Sequence, residues 1–206
     1  MMRNEHATIL RALAALLSYP DEELRAALPE IAAALRAARN LDAQRRDELL
    51  MLASELDQGE QLDVEARYVE LFDRGRSTSL NLFEHVHGDG RERGSAMLEL
   101  RERYERIGLE QRGHELPDHL PVLLEYLSCC DPAETPLLLG ECAHVLRKLG
   151  NALVHRGSRY ATVPAALLAL AGEEGLDPHT PVPPPEDLDR TWEERPAFER
   201  PAEAAP

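Results

Sequence analysis

Apolar residues recur at every third or fourth position through most of this chain. Ile9, Leu10, Leu13, Leu16 and Leu17 form one such stripe, which predicts an amphipathic helix ended by Pro20. Residues 21–28 and 29–38 read as two short helices, because Pro29 suits a first turn and not a helix interior. Leu49, Leu50, Leu52, Ala53 and Leu56 predict a helix closed by Gly59, and Val64, Tyr68, Leu71 and Phe72 one that stops near Gly75. Residues 74–94 break the rhythm. Gly75, Gly88, Gly90 and Gly94 lie there among dense charge, which predicts a loop, a short helix over 80–87 and a glycine-rich turn. The pattern resumes over 92–109, with Met97, Leu98, Leu100, Tyr104 and Ile107 inward. Pro117 and Pro121 bracket the next start, with Asp118 as N-cap and Pro121 in the first turn of a helix that runs to about Ser128. Leu137, Leu138, Cys142, Val145, Leu146, Leu149 and Leu153 predict a long helix from near Pro132, and 163–170 a last one ended by Gly172.

Nothing alternates with period two over a useful length, so no sheet is expected. The fold class is all-α: a single-domain helical bundle over residues 1–172. Residues 173–206 differ in kind. They hold eight prolines and set ten acidic side chains against three arginines, with little to bury, so disorder is the expectation. Trp192 and Phe198 are the exceptions, able to dock on the body or on a partner.

Hydrophobic residues make up 43% of the chain but aromatic ones only 4%, so Leu, Ala and Val must build the core. The formal net charge of −15 argues against nucleic acid as a partner and favours a basic peptide. Cys129, Cys130 and Cys142 are odd in number and two are adjacent, which does not make a disulfide framework and suits a reducing compartment. No run approaches the ~20 apolar residues that span a bilayer, so direct membrane insertion is not expected. The opening residues, with Glu5 among them, do not read as a secretory signal, and the expected location is cytoplasmic.

Enzyme motifs are scarce. The chain has no phosphate-binding glycine loop, Gly-x-Ser-x-Gly or Cys-x-x-Cys, so neither catalytic residues nor a cofactor are expected. Glu84-His85-Val86-His87 and Glu141-Cys142-Ala143-His144 are two Glu-x-x-His pairs, the kind that hold two metals in ferritin-like bundles. That makes a di-metal carboxylate oxidoreductase the rival reading. Against it, Gly88 ends the first pair's helix and such pairs arise by chance in a chain with eight His; surface or capping roles are the blander account. Glu115-Leu116-Pro117-Asp118-His119-Leu120-Pro121 reads as a helix start, although a His beside two carboxylates can also anchor a peptide or gate its binding by protonation. Cys129 and Cys130 read as small hydrophobes on a buried helix end.

The segment Tyr68-Val69-Glu70-Leu71-Phe72-Asp73-Arg74-Gly75-Arg76, continued by Ser79-Leu80-Asn81-Leu82-Phe83-Glu84-His85-Val86-His87-Gly88, resembles the signature of NarJ-type nitrate reductase chaperones. Arg91-Glu92-Arg93-Gly94-Ser95-Ala96-Met97, then Tyr104 and Gly108, resembles it too. So do Leu17-Ser18-Tyr19-Pro20, the Glu115–Pro121 stretch with Leu124-Glu125-Tyr126-Leu127-Ser128 after it, and Trp192-Glu193-Glu194 in the tail. The ordered matches run over about 16–128. This resemblance implies a fold of the redox-enzyme maturation chaperone type, and a dedicated chaperone rather than an enzyme. The partner it implies is the apo catalytic (molybdenum) subunit of respiratory nitrate reductase. The chaperone would bind that subunit's N-terminal segment, hold it for molybdenum cofactor insertion and delay its attachment to the membrane. Relatives exchange helices between protomers, so a homodimer hinged near 132–136 is an alternative state.

The wider group's Glu-x-x-Asp-His pattern falls here on Glu115, Asp118 and His119, which the resemblance makes site residues. A client helix would lie in a groove between helices. Tyr68, Leu71, Phe72, Phe83 and Tyr104 are candidates for its floor, with plain core as the alternative for each. Arg74, Arg76, Glu84, His85 and His87 are candidates for its rim. A general peptide-binding scaffold is a third reading.

Overall fold

The computed structural model describes residues 2–86, 91–110, 115–177 and 179–180. The chain winds through α1 (Met2–Leu16), α2 (Glu22–Ala37), α3 (Ala43–Gln58) and α4 (Gln61–Phe72). Two 3-10 turns follow, Arg76–Thr78 and Leu82–His85. Then come α5 (Arg91–Arg106), α6 (Leu120–Cys129), α7 (Glu134–Glu141), α8 (Ala143–His155) and α9 (Thr162–Ala171). Among the described residues there is no strand, only an isolated antiparallel bridge between Asn81 and His119. The all-α expectation therefore holds.

The core follows from the leucine stripes. Leu10, Leu13 and Leu16 of α1 with Leu17 just after it, Leu120, Leu124 and Leu127 of α6, and Leu146, Leu149 and Leu153 of α8 are all fully buried. α1 packs most extensively on α6, α8 on α9, and α2 on α3. Asp21 caps α2 by accepting from the Leu24 N–H at 2.8 Å, and Asp42 caps α3 by accepting from Arg45 N–H at 2.9 Å.

Several local expectations are corrected. Residues 21–38 form one helix with Pro29 inside it, not two. An interior proline costs about 3 kcal/mol or more. Leu24, Leu28, Ile31 and Leu35 all face the core from that one helix, and each buried side chain of this size contributes roughly 1.5–3 kcal/mol. Splitting the helix would turn one half of that face away, so the continuous form wins. The long helix expected from Pro132 is two helices, with a change of direction at Cys142 (φ −93°, ψ 0°). There Leu139 is fully buried while Leu137 is exposed, so the apolar stripe of α7 does not run on in register into that of α8. Leu98 of α5, and Ile107 just past its end, face outward. The inner line of that helix is Met97, Leu100 and Tyr104, and the chain leaves the helix before Ile107 through a turn at Gly108 (φ 78°). Cys130 is buried as expected, but Cys129 is exposed.

Beyond α9 the chain stays in contact with the body. Gly172 (φ 74°) closes the helix in the left-handed region, and the Glu173 N–H donates to Leu168 O at 2.9 Å. Arg147 donates to Glu174 O at 3.1 Å, and Asp177 N–H to the side chain of buried Asn151 at 3.0 Å. Leu176 lies over Gly150 so closely that a Cβ there would strike it. His155 Nε2 meets Thr180 O at 3.1 Å. Trp192 and Phe198 lie outside the described residues.

Candidate functional site

The site is assembled where two loops cross. Leu82 N–H donates to Asp118 O at 3.1 Å, and Leu120 N–H to Leu80 O at 2.9 Å. These bonds carry the Asn81–His119 bridge. The Asp118 carboxylate adds a third tie by accepting from Phe83 N–H at 2.9 Å. Tyr104 clamps the same turn from α5, its hydroxyl donating to Pro117 O at 2.7 Å.

Asp118 is therefore not the N-cap of α6. That position is held by His119, with no side-chain cap bond, and the Asp118 side chain caps the other loop instead. Three residues after Glu115 and one before the helix's N-cap, it points back across the chain crossing. It is fully buried. Burial pushes its carboxyl above the usual range, against the Phe83 N–H and Arg93, which favour the charged form.

On α4, Tyr68 and Phe72 are four residues apart and share one face. Both are 6% exposed, and their ring centroids stand 4.8 Å apart. The Tyr68 hydroxyl donates to Leu17 O at 2.8 Å, satisfying a carbonyl at the end of α1. Tyr19 meets Tyr68 edge-on at 5.5 Å.

Between these parts lies a hollow of about 470 Å³. Tyr19, Tyr68 and Phe72 line one side, and His119, Pro121 and Val122 the other, with Asn81 between and Asp73, Glu115 and Glu125 in its lining. A second hollow of about 450 Å³ shares Phe72, Asp73, Ser79 and Asn81, and adds Arg74, Arg76 and Glu84. The two adjoin through these shared residues as one channel, with acid at the α6 end and, at the other, Arg74 and Arg76 balanced by Asp73 and Glu84. Asn81 Oδ1 and His119 Nδ1 are buried in it without hydrogen-bond partners. His119 Nδ1 stands 3.7 Å from a Glu115 carboxylate oxygen, too far for a hydrogen bond. Burial lowers the imidazole pKa; Glu115 and Asp73 pull it back up without restoring it, so the ring is neutral at pH 7.

The candidates thus divide. Tyr68, Phe72, Glu115 and His119, with Arg74, Arg76 and Glu84, come together along the channel. Burial works to raise the Glu84 pKa, but hydrogen bonds from Ser79, Asn81 and Arg93 hold it below the usual carboxylate range. Asp118, Phe83 and His85 lie behind it. His85 Nε2 donates to Ser79 O at 2.9 Å, and burial lowers its pKa. Tyr104 does not reach the channel; it packs on Tyr126 at 4.8 Å and lines a neighbouring hollow with Glu115. Leu71 faces the opposite side of α4. His87 lies outside the described residues. Tyr19, Asn81 and Val122 were missed. Tyr19 had a signal, since an aromatic residue just before a proline at a helix exit is left outside the helix. Among the described residues no group of three or more His, Cys, Asp or Glu could hold a metal, and Glu141 and His144, on either side of the Cys142 break, are both exposed.

The channel lies wholly within residues 17–163, which match a family model described as nitrate reductase delta subunit. The nitrate reductase molybdenum cofactor assembly chaperone NarJ of Escherichia coli (strain K12) is 41% identical over 187 residues, covering 87% of this chain and 79% of that one. A Bacillus subtilis (strain 168) protein, named a probable nitrate reductase molybdenum cofactor assembly chaperone NarJ, is 34% identical over 165 residues, or 80% of this chain and 89% of its own. A crystal structure from Archaeoglobus fulgidus, described as a redox enzyme maturation protein, superposes with a TM-score of 0.57 at 25% identity, over 81% of this chain and 91% of the other.

Proposed function

The chain belongs to the nitrate reductase delta subunit family, and from that premise we propose that it is an assembly chaperone for a nitrate reductase catalytic subunit. It binds the N-terminal segment of the apo subunit in the channel beside His119, keeps it in place while molybdenum cofactor is inserted, and delays membrane attachment by covering the segment. The observation that carries this reading is the channel itself. It has an aromatic wall, two unsatisfied polar atoms in its lining, and charged side chains of both signs along it. An amphipathic client helix would set its apolar face on Tyr68 and Phe72. His119 Nδ1 and Asn81 Oδ1 would then find partners on the client, and unmet buried polar atoms gain most from such pairing.

Titration calorimetry tests this with a peptide of the first residues of the nitrate reductase catalytic subunit from the same genome. Saturable binding is expected, absent for a scrambled peptide. His119→Ala and Val122→Glu should each weaken it roughly tenfold or more, about 1.4 kcal/mol per factor of ten. Equal binding of the scrambled peptide, or full affinity in both variants, would overturn the site.

A further inference from the structure

A separate hollow, of about 550 Å³, lies between α3, α4 and the turn before α9. Leu56, Val64, Leu71 and Tyr160 give it an apolar floor, and Arg67 and Arg156 stand in its wall. Tyr160 is 6% exposed, and its hydroxyl is buried without a hydrogen-bond partner. Arg159, which pairs with Glu55 at 2.9 Å, stands beside it. Arg67 also pairs with Glu55, at 3.6 Å; Arg67 and Arg156 balance Glu55 and Glu70 in the lining, and Arg159 beside it leaves one net positive charge on a chain of net charge −15.

The last described residues lead to this hollow. Thr180 is bonded to His155, and Arg156, the next residue after His155, is in the hollow's wall. Trp192 follows Thr180 by twelve residues, a stretch that reaches up to about 37 Å at ~3.1 Å per residue. We propose that the hollow is the docking site of this chain's own Trp192-Glu193-Glu194 segment. The indole occupies the apolar floor. Its N–H, a donor only, meets the Tyr160 hydroxyl, which needs a partner. Glu193 and Glu194 face Arg67 and Arg156. A cavity of this size is ample for one indole. The docked tail closes a loop from α8 to α4, on the far side of Tyr68 from the client channel, so the inference stands independently of the client reading.

Trp192 is the chain's one tryptophan, so intrinsic fluorescence of the full chain reports its surroundings directly. Emission blue-shifted from that of the urea-unfolded chain is expected, with acrylamide quenching several-fold weaker and independent of protein concentration. Arg67→Glu should return both readouts toward the unfolded values with helical circular dichroism unchanged, and Tyr160→Phe should do so in part. Val122→Glu, in the other channel, should leave both as they are. A native Trp192 as open to quencher as in urea would overturn the proposal. So would shielding lost on dilution, which places the segment on a second copy, or shielding released by Val122→Glu and not by Arg67→Glu.

Discussion

The α1–α6 interface and the crossing of residues 80–83 with 116–120 adjoin on the same helix, yet they are held by opposite means. The interface is apolar and repeated, with Leu13 of α1 and Leu17 just past its end on one side and Leu120, Leu124 and Leu127 on the other, all fully buried. The crossing is polar and local: two backbone hydrogen bonds, the Asp118 carboxylate and one tyrosine hydroxyl. A buried leucine contributes roughly 1.5–3 kcal/mol, a hydrogen bond about 0.5–1.5 net. The interface therefore supplies cohesion, while the crossing supplies direction and fixes where His119 and Asn81 stand.

The largest expected effect breaks the first half of that contrast. Leu124→Ala should lower unfolding free energy by ~2–5 kcal/mol, read by urea denaturation, because the packed interface can close over the cavity only in part. An effect below that of an exposed substitution such as Leu137→Ala would contradict it. Asp118→Ala comes next. It strands the Phe83 N–H and should cost about 1–3 kcal/mol. Asp118→Asn keeps an acceptor and removes a charge that burial disfavours, so it should cost clearly less. If the two variants are equally destabilised, the carboxylate's charge matters more than its bond.

The smallest effect is titration. His85 and His119 have pKa values lowered by burial from the ordinary 6.5, so the unfolded chain takes up protons first as pH falls below about 6.5. Stability should be flat above that point and decline beneath it. Asp118, whose pKa is raised from 3.8, acts with the opposite sign: between 3.8 and its folded value it protonates first in the folded state and offsets part of the loss. Denaturation midpoints at pH 7.5 and 5.5 should differ less in His85→Gln and His119→Gln than in the parent chain.

This same contrast explains what the sequence made legible. Leucine spacing carries cohesion, and it located the helical stretches of the core, though it split α2 in two and ran α7 and α8 together. It failed where tertiary burial overrode a local rule, as at Pro29, or where two stripes did not share a register, as at Cys142. Tyr68, Phe72, Glu115 and His119 were found through a family resemblance, and they do share one channel. Spacing alone could not separate Asp118 from His119, which are neighbours in sequence and stand on opposite sides of a backbone crossing. Nor could it find Asn81, whose place depends on a chain segment almost forty residues away.

The two lips of the channel are Ser18 and Tyr19 just past the end of α1, and Pro121 and Val122 in the first turn of α6. Those helices are joined along their length, and the Tyr68 hydroxyl pins the α1 end in addition. The opening is thus a slot between two joined helices. Under the proposed function, a client segment would be selected by its width on arrival, and its release would come from a change in the client or from a competitor for the slot.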